Sequence, residues 1–390
     1  MPTLPLSYLI FIAMSSPIAI NLLLPALPSI AEKLNVDISL VQLSYSLYLL
    51  SLAIGQLLVG GIVNHLGYRK TMILGLASFT LGSAMAGVFG NLESLLIGRI
   101  MQGLGGAIAI SLARALLVDG AGKEKASQKM GYIIMAIAIS QSIAPLIGGF
   151  INSHFGWQII FFASLLQGLL ALMLTFKLVP QLEQKKRRPS FKENISLYGQ
   201  LLKASDFRSY TLANTLVAIC FYVFVSSSPY ITNDFDGGVH AFGYWFITIS
   251  IAFMAGGYLS TLINQKVTLD RTILIGNSIS ICGALLLLLG QLVLEQSYAA
   301  LFLPMSLVTF GRGISQPNNQ TAAISSISNQ SSMAAGLMGF LQLLSGAIFS
   351  QFTPLIVTSS PLLVFILIFA CMTLAMFIHL KHWLITVRSI

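Results

Sequence analysis

Apolar runs long enough to cross a bilayer recur twelve times along this chain, and that recurrence leaves few folds open. A membrane-spanning helix needs about 20 predominantly apolar residues. Such runs fall at 7–29, 40–62, 70–89, 94–117, 130–152, 157–178, 209–232, 242–263, 271–293, 298–322, 333–357 and 361–382. The chain is 56% hydrophobic and 8% charged, with a mean hydropathy of +0.84. Soluble domains carry about 25% charged residues, so a water-soluble fold is excluded. The expected class is an all-α membrane protein with twelve transmembrane helices.

The longest polar interruption, 180–206, carries Lys185, Lys186, Arg187, Arg188, Lys192 and Lys203. It reads as a basic cytoplasmic linker between an N-terminal six-helix bundle (1–179) and a C-terminal six-helix bundle (207–390). The first run begins almost at once, without a basic leader or a small-residue cleavage site, and is expected to be a retained span, not a signal peptide. Cys220, Cys282 and Cys371 are far apart and show neither metal-ligand spacing nor a disulfide framework.

The net charge of +9 asks where the basic residues sit relative to the membrane, not which nucleic acid they bind. With both termini inside, twelve spans put 18 of the 21 Lys and Arg residues on the cytoplasmic side. Only Lys33 falls outside, while Arg99 and Arg312 lie within spans. One missed helix would scramble that alternation. All 12 acids and all five histidines fall in loops or at helix ends, so any central cavity is expected to be electropositive.

A charge at the centre of a membrane helix costs on the order of 3 kcal/mol on insertion scales, which marks Arg99 and Arg312 for attention. Arg99 opens the run RIMQGLGGA, and the small residues Gly103, Gly105, Gly106 and Ala107 permit close helix packing. The arginine itself is expected to face a wet cavity, a partner or a substrate; the alternative is snorkelling to the headgroups. Arg312 lies in TFGRGISQPNNQTAAIS (309–325), the most polar span. There Gly311, Gly313 and Pro317 invite local unwinding, which is tolerated where a helix lines a cavity. The alternative is a span that ends early and leaves Asn319 and Gln320 in a loop. Further polar groups in apolar runs are Asn21, Gln102, Gln141, Asn214, Tyr222, Gln316, Asn318 and Gln342. These are candidates for substrate contact or for interhelical hydrogen bonds worth about 1 kcal/mol.

Four segments carry a resemblance. GGIVNHLGYRK (60–70) places Gly60, Gly67, Arg69 and Lys70 between spans 2 and 3, with Asn64 among them. APLIGG (144–149) places Ala144, Pro145, Gly148 and Gly149 in span 5, four residues beyond Ser140. INLLLPALPSIA (20–31) and VSSSPYITNDFDGGVHAFGYWF (225–246) complete the set. Together with two six-helix halves, these resemble the major facilitator superfamily, and within it the bicyclomycin/chloramphenicol-resistance group of drug:proton antiporters. The resemblance implies a gating motif at 60–70, a packing or hinge element at 144–149, and pseudo-symmetric halves. It also implies a role in substrate or proton handling for the segment around Arg99, Gln102 and Gly103. Two departures stand out. Asn21 occupies the helix 1 position where the drug-exporting group has aspartate, and Asn64 stands where the gating motif has aspartate. An amide can hydrogen-bond but cannot carry a coupling proton.

No phosphate-binding loop, metal spacing or nucleophile elbow is present, so neither an enzyme nor a cofactor is expected. The first expectation is a monomeric secondary transporter in a bacterial-type inner membrane. It would move a small organic anion, of the polycarboxylate or siderophore type, held by Arg99 and Arg312. The second is an efflux transporter of neutral drugs. A non-transporting sensor is a third, which the short linker and tails disfavour. The 18-to-1 charge split makes a topological prediction: a reporter active only in the cytoplasm is expected to work when fused after Ile390 and to fail when inserted at Glu295.

Overall fold

The computed structural model describes residues 4–121, 123–180, 198–233, 235, 238–293, 297–326 and 331–388, and no strand occurs among them. The chain forms two compact units, Met1–Phe191 and Lys192–Ile390. The first holds α1 (Leu6–Leu23), α2 (Leu27–Leu34), α3 (Ile38–Phe89), α4 (Leu92–Ala121), α5 (Lys123–Phe155) and α6 (Gln158–Leu178). The second holds α7 (Ser205–Ile231), α8 (Gly238–Ile263), α9 (Leu269–Val293), α10 (Tyr298–Ser325), α11 (Ser331–Ser359) and α12 (Pro361–Arg388). Ten stretches among the described residues are long and apolar enough to cross a membrane. Helices α5 and α10, of 33 and 28 residues, have the length of spans but are more polar.

Proline and glycine set the breaks. In the first unit the LPALP segment forms a 3-10 turn, Leu24–Ala26, between α1 and α2. Prolines there lack an N–H and are best placed in the first turn of a new helix. The 52-residue α3 contains two spans, Ile38–Val59 and His65–Phe89, with a kink at Gly67 near the start of the second. Gly67 has φ 76° and ψ 167°, which a side chain would strain. Next to it, Arg69 Nη2 donates to the Phe176 carbonyl at the end of α6, 3.0 Å away. Tyr68 is buried in the core while Lys70 is exposed. The surroundings of Gly60 and the side chain of Asn64, the other members of the expected gating motif, lie outside the described residues.

In the second unit, residues 198–203 are helical and carry the buried Leu201 against Phe207, Ala323 and Met338. The last part of the expected linker is therefore folded onto its own bundle, because an apolar face in that stretch has something to cover. Residues 181–197 of the linker lie outside the described residues.

Outward-facing apolar side chains show which surfaces meet lipid. Leu81, Leu166, Ile251 and Phe377 are each at least 60% exposed. By contrast the first helix of each unit is largely enclosed, with Ile12, Ala13 and Leu23 of α1 and Cys220, Val223 and Phe224 of α7 fully buried. Both carry hydroxyl side chains that bond their own helix carbonyls, such as Ser15 to Phe11 and Ser226 to Tyr222. This lets a polar residue sit inside a bundle without an orphaned proton.

Small residues bring the fourth spanning helix of each unit against its neighbours. On α4, Gly103 lies against the Tyr48 carbonyl and Ser51, Gly105 against Phe79, and Gly106 against Ser16. Three sides of α4 thus reach α3 and α1 at backbone distance, as small residues permit in lipid. Helix α10 repeats the device: Gly311 meets α9 at Gly276 and Ser280, and Gly313 meets α8 at Phe253 and Gly257. The unwinding expected at 309–325 does not occur. Helix α10 is continuous through Pro317 to Ser325, because its glycines are used for close packing, and Asn319 is fully buried within it.

A side chain at Gly105 would meet the Phe79 backbone nitrogen at 2.6 Å, whereas one at Gly61 would meet nothing within 4 Å. Gly105→Leu is expected to destabilise the purified protein by about 3 kcal/mol, the upper range for overpacking. Gly61→Leu is expected to change its thermal midpoint in detergent by little.

Candidate functional site

The two in-span arginines occupy corresponding places, each on the fourth spanning helix of its unit and each stacked on an aromatic ring. Their surroundings differ. Arg99 is completely buried. Its Nε donates to the Ser44 carbonyl at 3.2 Å, and its Nη1 to the Ala19 carbonyl at 3.1 Å. Nη1 also reaches Gln102 Oε1 at 2.9 Å, and Gln102 Nε2 in turn donates to Ser83 Oγ at 2.7 Å. The guanidinium lies 4.1 Å from the centroid of the Tyr48 ring, whose hydroxyl donates to Ser16. One guanidinium thereby joins α1, both spans of α3 and α4. Only Nη2 lacks a hydrogen bond.

The expectation that Arg99 points to a wet cavity is corrected by this enclosure. Helix carbonyls have a second lone pair beyond their own ladder bond. Close approach of three helices through Gly103 and Gly106 brings two such carbonyls within reach. The carbonyls and the negative face of the Tyr48 ring replace a counterion.

Arg312 is only half-buried. Its Nε donates to Gln316 Oε1 at 2.8 Å, one turn on. The guanidinium stacks 4.0 Å from the centroid of Phe221 on α7 and 5.1 Å from that of Phe253 on α8. Tyr222 is within electrostatic reach, and its ring packs over Gly346 of α11. Among the described residues neither Nη1 nor Nη2 makes a hydrogen bond. The result is a cation with two free donor nitrogens between aromatic faces.

The remaining candidates divide by what their polar atoms do. Asn21 is buried and donates to the Pro17 carbonyl at 2.8 Å, within its own helix. Asn318 donates to Ser260 and to the Ile314 carbonyl and accepts from Asn264, so it ties α10 to α8. Asn214 is fully buried with neither amide atom bonded, and Gln342 has an unbonded Nε2. Gln141 is half-buried. In α5, Gly148 lies against the Leu22 backbone of α1, Ala144, Pro145 and Gly149 are buried, and Asn152 bonds Ser29. That segment packs α5 on the α1–α2 break.

Sequence reasoning missed the partners that matter most. The carbonyls of Ser44 and Ala19 carry no signature, since every residue has one. Tyr48, Phe221 and Phe253 were readable only as apolar positions. Also unforeseen was a cluster on the second unit, in which Tyr210, Asp270 and His379 meet.

Comparisons with known proteins agree with this architecture. A "Bicyclomycin resistance protein homolog" of Haemophilus influenzae is 25% identical over 86% of this chain and 85% of its own length. "Multidrug resistance protein MdtL" of Vibrio parahaemolyticus is 26% identical over 90% and 89%. A "Chloramphenicol resistance protein CraA" of Acinetobacter baumannii is 25% identical over 76% and 72%. Among solved structures, a D-xylose-proton symporter superposes with a TM-score of 0.76 over 96% of both chains at 15% identity, a likeness of fold alone. The sequence model of the Major Facilitator Superfamily matches residues 9–350. With eleven long helices among the described residues, one of them holding two spans, and an arginine on the fourth spanning helix of each unit, this chain belongs to the Major Facilitator Superfamily.

Proposed function

We propose that this secondary transporter exports neutral, oxygen-bearing drugs from a bacterial cytoplasm by alternating access. The observation that carries the reading is the unequal state of the two arginines. Arg99 is enclosed and bonded within its own unit, which leaves a single accessible cation rather than a pair suited to clamp a polyanion. Arg312 offers two donor nitrogens beside Phe221, Phe253 and Tyr222. A flat, apolar molecule with carbonyl, nitro or hydroxyl oxygens fits such a surface, through stacking and one pair of hydrogen bonds. Chloramphenicol has this character, and relatives covering most of both chains are named for resistance to it, to bicyclomycin and to several drugs.

A second reading keeps the small organic anion. It is favoured by the absence of any carboxylate bonded to Arg312 among the described residues, so a carboxylate-bearing solute would complete its charge. In that reading Arg312 alone supplies the anion contact, and Arg99 holds the helices.

Resistance and transport separate the two. Expression in a drug-sensitive host is expected to raise the inhibitory concentration of chloramphenicol or a similar neutral antibiotic at least fourfold. Arg312→Gln is expected to abolish that gain while leaving the amount of folded protein unchanged. If no neutral drug is exported, but proteoliposomes move an organic acid and Arg312→Gln stops this, the anion reading replaces it. Arg99→Gln provides the contrast. It removes donors from two buried carbonyls and is expected to cost on the order of 2 kcal/mol of stability. The protein that still folds is expected to keep its substrate preference, as measured by competition between drugs.

A further inference from the structure

Five side chains gather where α12 nears its C-terminal end, beside the first turns of α7 and α9. Tyr210 of α7 donates its hydroxyl to Asp270 Oδ1 at 2.8 Å. His379 of α12 places Nε2 3.1 Å from the Asp270 carbonyl and 3.8 Å from Oδ1 of the same residue. His382, three residues on and so on the same face of α12, places Nε2 3.8 Å from Asp206 Oδ1. The Tyr210 ring stands between the imidazoles, 5.0 Å from His382 and 5.9 Å from His379.

The geometry decides the tautomer of His379. A backbone carbonyl only accepts, so the nitrogen facing Asp270 O must carry the hydrogen. The bare lone pair is then on Nδ1, which is buried and has no hydrogen-bond partner. A polar atom left in that state usually marks an unfinished site. His379 is 1% exposed, while the two carboxylates are 29% and 62% exposed and lead out to water. With both imidazoles neutral the cluster carries two negative charges and no positive one. Arg208, Arg271 and Lys381 are nearby in sequence but exposed, and the described neighbours acting electrostatically on His379 are Asp270 and His382.

We propose that these residues form a proton-binding site on the second unit, with His379 Nδ1 as the principal acceptor. A proton from the adjoining aqueous phase adds to that lone pair. The imidazolium so formed faces the Asp270 carboxylate, which Tyr210 holds in place, and thereby pairs α12 with α9 and α7. His382 and Asp206 form the outer step, nearer to water. On the positive-inside orientation this end of the bundle is cytoplasmic. Histidine is the side chain whose unperturbed titration spans pH 5 to 8, and the two carboxylates connect this one to the adjoining water. It supplies a titratable group to a chain whose first helix carries Asn21, an amide, and its role does not depend on which solute is transported.

The test is ring-nitrogen NMR of the full chain, labelled at its five histidines and held in lipid nanodiscs between pH 4.5 and 8.5. His379 is assigned by the signal lost in His379→Gln. Expected is an Nε2–H tautomer at high pH that becomes doubly protonated as pH falls. Asp270→Asn is expected to move that transition at least half a pH unit toward acid, about a threefold loss of proton affinity. If Asp270→Asn does not fold, His382→Gln serves, since removing a like charge is expected to move the transition the other way. A histidine held neutral as a structural hydrogen-bond donor would show no transition in this range for either change to move. A His379 that stays neutral throughout the range, or a transition that neither variant moves, overturns the proposal.

Discussion

A guanidinium buried among helix carbonyls is the constraint on which the first unit depends. Water is absent from the hydrocarbon region, so each polar group there needs a protein partner. Arg99 meets that demand with the carbonyls of Ser44 and Ala19, the amide of Gln102 and the face of Tyr48. Those partners sit on α1, α3 and α4 and come within reach only because Gly103 and Gly106 remove the side chains that would separate the helices. Charge and glycine therefore act as one device. The glycines allow the approach, and the arginine makes any other approach costly.

The second unit uses the same scaffold to another end. Gly311 and Gly313 seat α10 between α9 and α8 as closely as the glycines of α4 seat that helix. Yet Arg312 finds aromatic faces and one glutamine, and among the described residues its other two nitrogens make no hydrogen bond. The two units thus share this packing while the charge at its centre is bonded to carbonyls in one and stacked on rings in the other. The difference lies in the residues opposite: in the first unit carbonyls face the guanidinium, and in the second Phe221 and Phe253 do. A cation flanked by aromatic rings suits a stacked, neutral ligand as well as an anion, so the transported class follows from more than charge.

Much of the architecture was legible from residue order. The apolar runs, the basic interruption near 180–206 and the resemblance at 60–70 and 144–149 all pointed to two six-helix halves. Legibility failed where geometry mattered. Gly311, Gly313 and Pro317 read equally well as a break or as a packing face, and only the position of α8 and α9 shows which. Asn318 looked like Asn319, but one is fully bonded to Ser260 and Asn264 while the other has no partner. His379 and His382 were visible only as residues near a helix end, because Asp206 and Asp270 are more than 100 positions away in sequence.

What the sequence determined by itself was the solvent: a chain this apolar, with its charges confined to loops and two spans, must form helices in a bilayer. It also determined which positions carry fixed charge, since no arrangement can hide an arginine without compensation. Tertiary structure alone decided what compensates each one. Backbone carbonyls and ring faces are common to many residues, so their use as partners depends on which helices approach, and at what distance, rather than on any pattern along the chain.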